Sequence, residues 1–196
     1  MFGYIHQIVV NQFQLDINSD HGFRHWEKIE KIGIYLAKHT KADITVIKLF
    51  ALLHDSKREN EFDDPLHGIR AAQFVEELFK KRLLPLTQFQ LTQLIYACKF
   101  HSDSLAKSED MTVQICWDSD RLDLWRIGIT PNPLYLYTDT AKKAKTILWA
   151  KNLKINHSQK IKEYIKEEFE RRQRQFTWMP GDLILIRRGK KRLIKQ

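Results

Sequence analysis

The sequence predicts an all-helical fold, and three features carry the prediction. Glycine and proline are scarce, at 7 and 5 of 196 residues, so few positions interrupt regular structure. Apolar residues recur three and four apart over most of the chain, the spacing of one face of an α-helix. The stretch of about 44–57 is apolar nearly all round through Val46, Ile47, Leu49, Phe50, Ala51, Leu52 and Leu53, as is the helix at the centre of a bundle.

Taken in order, the first helix runs over about 24–39, with Trp26, Ile29, Ile32, Gly33 and Leu36 on its packing side. The central helix follows over about 44–57 and ends in His54 and Asp55. Asp64 followed by Pro65 starts the next, because Asp accepts from free helical N–H groups and Pro fits the first turn; it extends to about Lys81. Thr87 caps a helix ending at His101, with Leu91, Leu94, Ile95 and Cys98 facing inward. Another spans about 112–126. Pro131 and Pro133 break the pattern, and 140–153 reads as helix again. The stretch 158–175 reads as a charged helix, and after Pro180-Gly181 the segments DLILI and RLI, joined by RRGKK, read as a small β-hairpin.

The length suits one domain with an appendage: an N-terminal segment over 1–19, a helical domain over 20–156 and a basic extension over 157–196. Hydrophobic residues make up 43% of the chain and charged ones 29%, which supports a substantial core and excludes a disordered or fibrous class. Cys98 and Cys116 are too few for a disulfide scaffold and fit a reducing compartment. The N-terminal stretch has no basic region, long apolar run or small-residue cleavage site, and no segment approaches the 18 or so apolar residues of a membrane helix. A cytoplasmic protein with no membrane partner is expected. Net charge is +9. Residues 158–196 hold 12 Lys or Arg against 5 Asp or Glu, hence +7, leaving the preceding 157 residues nearly balanced at +2.

Histidines and carboxylates at core-facing positions are the informative feature, because an unpaired buried charge is costly and implies a partner or a metal. A helical register through Val113, Cys116, Trp117, Asp120, Leu124 and Ile127 makes Asp120 the lone polar member of an apolar stripe, with Asp118 and Asp123 on other faces. The same exercise places His67 with Ala71, Phe74 and Leu78, His101 with Leu94 and Cys98, and His54 with Ile47, Phe50 and Ala51. Four helices thus send a ligand-type side chain inward. Imidazole and carboxylate suit a divalent ion such as Mn²⁺, Fe²⁺, Ni²⁺, Zn²⁺ or Mg²⁺. His54 and Asp55 could share one ion, or Asp55 could bridge two. No phosphate-binding Gly-rich loop and no G-x-S-x-G elbow occurs, so nucleotide-fold and serine-hydrolase readings lack support.

His25, the doublet His54-Asp55 and Asp120 in WDSDRLDLWRIG resemble the H…HD…D signature of the HD superfamily of metal-dependent phosphohydrolases. HGFRHW from His21, LLHDSKREN from Leu52, DDPLHGIRAA from Asp63, FHSD from Phe100 and GITPNP from Gly128 extend the resemblance, to a subgroup of small bacterial HD proteins, over about 19–150. It implies an all-α HD bundle with metal ligands at His25, His54, Asp55 and Asp120. His67 and His101 resemble the extra histidines that hold a second ion or that bind or protonate substrate. No GYP tripeptide is present, so cyclic-dinucleotide cleavage is not implied.

The activity so implied is hydrolysis of a phosphomonoester or phosphodiester, with a nucleotide-like substrate. Lys57, Arg58 and Arg121 are placed to offset phosphoryl charge, and His21 to orient a ligand. From a different class, the chain reads as a regulatory or nucleic-acid-binding module. Arg171, Arg172, Arg174, Arg187, Arg188, Lys190, Lys191 and Arg192 would then contact a phosphate backbone; a merely solubilising extension is the bland counterpart.

Overall fold

The structure, a computed structural model, describes residues 2–155 together with 183–187 and 190–194. The chain divides into two units, Met1–Ile155 and Asn156–Gln196, each described by itself. In the first, the helices are α1 (Phe2–Gln12), α2 (Phe23–Ala37), α3 (Ile44–Leu53), α4 (His67–Lys80), α5 (Gln88–Phe100), α6 (Met111–Arg121), the short α7 (Asp139–Lys142) and α8 (Ala144–Asn152). Two 3₁₀ turns, Leu124–Ile127 and Pro133–Tyr135, lie between α6 and α7. In the second unit, β1 (Leu183–Arg187) and β2 (Lys190–Ile194) pair antiparallel with Leu183 opposite Ile194 and Arg187 opposite Lys190, where a hairpin is expected. The charged helix expected over 158–175 lies outside the described residues.

The centre of the first unit is α3, which packs against α1, α2, α5 and α6. Burial on all sides explains its composition: Val46, Ile47, Leu49, Phe50, Ala51, Leu52 and Leu53 are all buried, so no position along it tolerates a solvated side chain except Lys48 and the first turn. At its start Asp43 caps with one oxygen the N–H groups of Thr45 (2.8 Å) and Val46 (3.1 Å), and with the other accepts from Gln90 Nε2 at 2.7 Å. Thr112 Oγ1 accepts from the Asp43 N–H at 3.0 Å. One aspartate thereby ties the starts of α3, α5 and α6, and the C-terminal end of α3 is left to carry His54 and Asp55.

Several boundaries differ from expectation, each for a local reason. The N-terminal segment over 1–19 contributes to the core: α1 buries Ile5, Val9 and Val10, and Phe13 meets Trp26 edge-on at 5.0 Å between ring centroids. Helix α2 stops early because His39 takes a left-handed φ of 65°, a conformation that ends helices. Asp64 does not cap α4, since its carboxylate is taken by the Glu59 N–H and by Arg70. The expected helix over 112–126 ends at Arg121, giving way to the 3₁₀ turn Leu124–Ile127 that Gly128 closes at φ 81°. The helix expected over 140–153 breaks at Lys143, whose ψ is 129°.

Helices α4 and α5 approach closely at Gly68. A Cβ there would stand 2.8 Å from the Cys98 carbonyl oxygen and 2.9 Å from that of Lys99, so only glycine lets the start of α4 reach the end of α5. His67 and His101 flank that approach.

Candidate metal centre

Helix ends build this site. His54 follows the last residue of α3, His101 follows the last of α5, and Asp55 comes directly after His54. The last carbonyls of a helix lack intrahelical partners and carry partial negative charge. Here the imidazoles draw on carbonyls at these ends: His54 Nδ1 donates to the Phe50 carbonyl at 3.0 Å, which also accepts the His54 N–H, and His101 Nδ1 to that of Cys98 at 2.7 Å. His67 Nδ1 donates likewise to the Asp64 carbonyl, and His25 Nδ1 to Asp123 Oδ2 at 2.8 Å. Every one of these acceptors has lone pairs only, so each Nδ1 holds a hydrogen, and in the neutral ring each Nε2 then keeps a lone pair.

Those four Nε2 atoms converge. His25 and His54 meet at 3.2 Å, His67 and His101 at 2.9 Å. With both Nδ1 atoms already donating, neutral rings in either pair set lone pair against lone pair, which a shared cation would reconcile. Asp55 lies between the pairs. Its Oδ2 is 3.3 Å from His54 Nε2 and 3.6 Å from His25 Nε2, while its Oδ1 is 3.3 Å from His67 Nε2 and 3.5 Å from His101 Nε2. Asp120 Oδ1 completes the first group at 3.4 Å from His25 Nε2 and 4.0 Å from His54 Nε2. Asp55 Oδ1 and Asp120 Oδ1 are buried without a hydrogen-bond partner. The donor atoms of His25, His54 and Asp120 lie within 4.8 Å of one another, as do those of His54, Asp55 and His101, so His54 sits where the two groups adjoin. An N/O donor set of this kind fits one or two divalent ions.

The electrostatics of Asp55, Asp120 and His67 suit ligand roles. Burial alone would raise the Asp55 carboxyl, but His54 and His101 hold it well below the usual carboxylate range. Asp120 is depressed too, burial being outweighed by His25, Arg126 and His54. Burial, then the neighbouring His101, push His67 down to about 4, so its imidazole is neutral near pH 7. For His54 burial pulls downward, yet Asp55 and Asp120 raise it on balance.

The six residues expected as ligands are thus brought together, and the remaining expected site residues divide. Arg58 stands beside them, its Nη1 3.7 Å from Asp55 Oδ1 and 3.3 Å from His67 Nε2. Arg121 lines the same cavity but donates to the Tyr135 carbonyl at 3.0 Å and packs over Trp117 and Tyr137. Lys57 is not brought to the site: its Nζ sits 4.2 Å over the Phe74 ring. His21 lines the cavity with Nδ1 2.6 Å from Glu61 Oε2.

Three residues are absent from the sequence reading or misplaced by it. Asp123, put on another face, is buried and takes the His25 Nδ1 hydrogen, with Lys28 Nζ 2.6 Å from its second oxygen. Asp118 is buried as well, accepting from the Tyr137 N–H (2.7 Å), the Thr138 N–H (2.8 Å) and Thr138 Oγ1 (2.7 Å). Arg126 projects from the 3₁₀ turn toward Asp120 Oδ1 (3.6 Å) and Asp55 Oδ2 (4.0 Å). The stripe that singled out Asp120 ends sooner than expected, for Ile127 is exposed.

A cavity of about 1480 Å³ opens over the group and is lined by Asp55, Arg58, His67, His101, Asp120 and Arg126 at its base and by Phe62, Leu134 and Tyr135 farther out. Among the described residues no helix is long and apolar enough to cross a membrane.

No protein-family model matches the sequence, and no curated protein shows a significant match. Among solved structures, the chain is similar to the crystal structure of a predicted HD superfamily hydrolase from an uncultured Thermotogales bacterium. The match is 20% identical, covers 89% of this chain and 92% of that one, and has a TM-score of 0.57. At that identity the likeness speaks for architecture alone: the helical first unit shares the fold of that structure.

Proposed function

We propose that this protein is a divalent-metal-dependent phosphohydrolase acting on a phosphomonoester or phosphodiester, with a nucleotide-like substrate. One observation carries the reading: Asp55 presents one carboxylate oxygen to His25 and His54 and the other to His67 and His101. A carboxylate so shared would serve both ions of a two-metal phosphoesterase. His25, His54, Asp55 and Asp120 would hold one ion, and Asp55, His67 and His101 a second. When bound, such ions acidify water and neutralise phosphoryl charge.

The protein's own groups do the rest. Four backbone or carboxylate acceptors hold the imidazoles as Nε2 donors, so no ring rotation precedes binding. Arg58 offers a guanidinium beside the histidine pair of α4 and α5, where it can form charge-assisted hydrogen bonds to phosphoryl oxygens. The cavity, about 1480 Å³, leaves room for a nucleotide-sized leaving group. His67, anchored through Nδ1 and neutral near pH 7, serves as a ligand rather than a proton donor.

Metal analysis by mass spectrometry of purified protein, with turnover of a panel of phosphate esters before and after chelation, tests the reading. Two ions per chain and chelator-sensitive hydrolysis are expected. Metal-free protein that hydrolyses esters, or stoichiometric metal with no ester turned over, would overturn it. The basic residues of 156–196 support a second, separable reading, attachment to a nucleic-acid backbone. It predicts oligonucleotide binding that weakens steeply with salt.

A further inference from the structure

We propose that Arg126 binds the phosphoryl group directly, from the side of the site opposite Arg58. The inference rests on the phosphohydrolase reading. Its starting point is a contrast between arginines. Arg70 is a structural strut: its Nη2 lies 2.6 Å from Asp64 and its Nε donates to the Lys57 carbonyl at 3.1 Å. Arg121 is likewise engaged, with the Tyr135 carbonyl and two rings. Arg126 is not. Its Nε and Nη1 are buried and make no hydrogen bond, and its separations of 3.6 Å from Asp120 and 4.0 Å from Asp55 exceed hydrogen-bond length. A guanidinium serving only to brace those carboxylates would close on them as Arg70 closes on Asp64.

Buried donors left unfilled are costly, and these line the cavity. The turn that carries Arg126 is fixed at both ends. Asp123, which accepts from His25 and faces Lys28, precedes it, and its carbonyl accepts from the Arg126 N–H at 3.0 Å. Gly128 at φ 81° closes it. The Asp123 that orients His25 thus also positions Arg126, three residues on. Arg58 faces Asp55 Oδ1 and Arg126 faces Asp55 Oδ2, so the two guanidiniums flank opposite ends of the shared carboxylate. A phosphoryl group seated over that carboxylate offers oxygens to both, and a planar fork suits it better than an ammonium.

The test measures inorganic phosphate binding to manganese-loaded, full-length protein by calorimetry, for wild type, Arg126→Gln and Arg126→Lys, with bound manganese counted in each. Arg126→Gln should weaken phosphate binding about 10- to 100-fold with manganese content unchanged, and Arg126→Lys should recover part of the loss. A phosphate affinity unchanged in Arg126→Gln overturns the proposal while leaving the phosphohydrolase reading intact. So does a change in manganese affinity alone, which would mark a brace for the carboxylates. Wild-type protein that binds manganese but no phosphate overturns both. If the Gln variant does not fold, the Lys variant decides: its folded, metal-loaded form must bind phosphate more weakly than wild type.

Discussion

Asp123→Asn is the sharpest perturbation of the metal centre, because it changes one atom without touching a ligand. In the native site Asp123 Oδ2 takes the His25 Nδ1 hydrogen at 2.8 Å while Oδ1 lies 2.6 Å from Lys28 Nζ. An amide has one oxygen for two donors. If that oxygen turns to Lys28, the NH₂ group faces His25 and forces its hydrogen onto Nε2, abolishing the lone pair that would bind metal. If it turns to His25, the Lys28 ammonium, with only 13% of its side chain exposed, loses its charged partner. The first outcome costs about 10- to 100-fold in metal affinity, or about 1.4–2.7 kcal/mol. The second costs about 1–3 kcal/mol of folding stability. Manganese titration calorimetry and thermal melting of chelated protein separate them, with Lys28→Met as the control that loses stability but retains affinity. Wild-type manganese affinity in Asp123→Asn, with a wild-type melting curve, would refute the role given to this carboxylate.

Four further outcomes are expected. His54→Ala and Asp55→Ala should each lose bound metal and activity while keeping a helical circular-dichroism spectrum; stoichiometric metal in either would remove it from the ligand set. Asp120→Asn should abolish hydrolysis. Asp118→Asn, which disturbs three hydrogen bonds to Tyr137 and Thr138, should lower stability by about 1–3 kcal/mol and retain metal; equal metal loss in both would contradict the assignment. The pH dependence of chelated protein follows from His67, depressed from 6.5 to about 4. Above pH 6.5 neither folded nor unfolded chain protonates it, and between 6.5 and 4 only the unfolded chain does. Falling pH should therefore cost wild type up to about 3 kcal/mol relative to His67→Gln, measured by urea denaturation; the variant comparison cancels His54, which moves the other way. Finally, a chain ending at Lys154 should keep its metal content and ester turnover, and insolubility or loss of metal would show that later residues complete the first unit.

What could be read from sequence was whatever periodicity encodes. The apolar run of α3 marks a central helix, and a histidine and an aspartate at its end stand out against it. Helical registers also picked His67, His101 and Asp120. Where the backbone leaves the α-helical repeat, that logic stops. Arg126 lies on a 3₁₀ turn, so counting in steps of 3.6 carried the stripe past it to Ile127, which is exposed. Asp118 is buried because the backbone at Tyr137 and Thr138 returns to satisfy it, a pairing across 19 and 20 residues that no local pattern contains. The burial of α1 did have a signal, in Ile5, Val9 and Phe13 at intervals of four, though no capping residue announces it. Lys57 was assigned by proximity in sequence to Asp55, but the turn after α3 sends it over Phe74.

The sharing of Asp55 has a consequence for charge. Around the centre stand two carboxylates, Asp55 and Asp120, four imidazoles whose Nδ1 hydrogens are already committed, and the guanidiniums of Arg58 and Arg126. One divalent ion would balance the carboxylates, and a second would leave the donor set positive, with both guanidiniums adding to the excess. Glu61, a further carboxylate of the cavity lining, faces His21. Full metal loading therefore favours an anion from solution, and by linkage each strengthens the binding of the other to the same degree. The second ion should load more tightly in phosphate buffer than in a neutral amine buffer, and hydrolysis that releases phosphate should weaken the hold on that ion as the product departs.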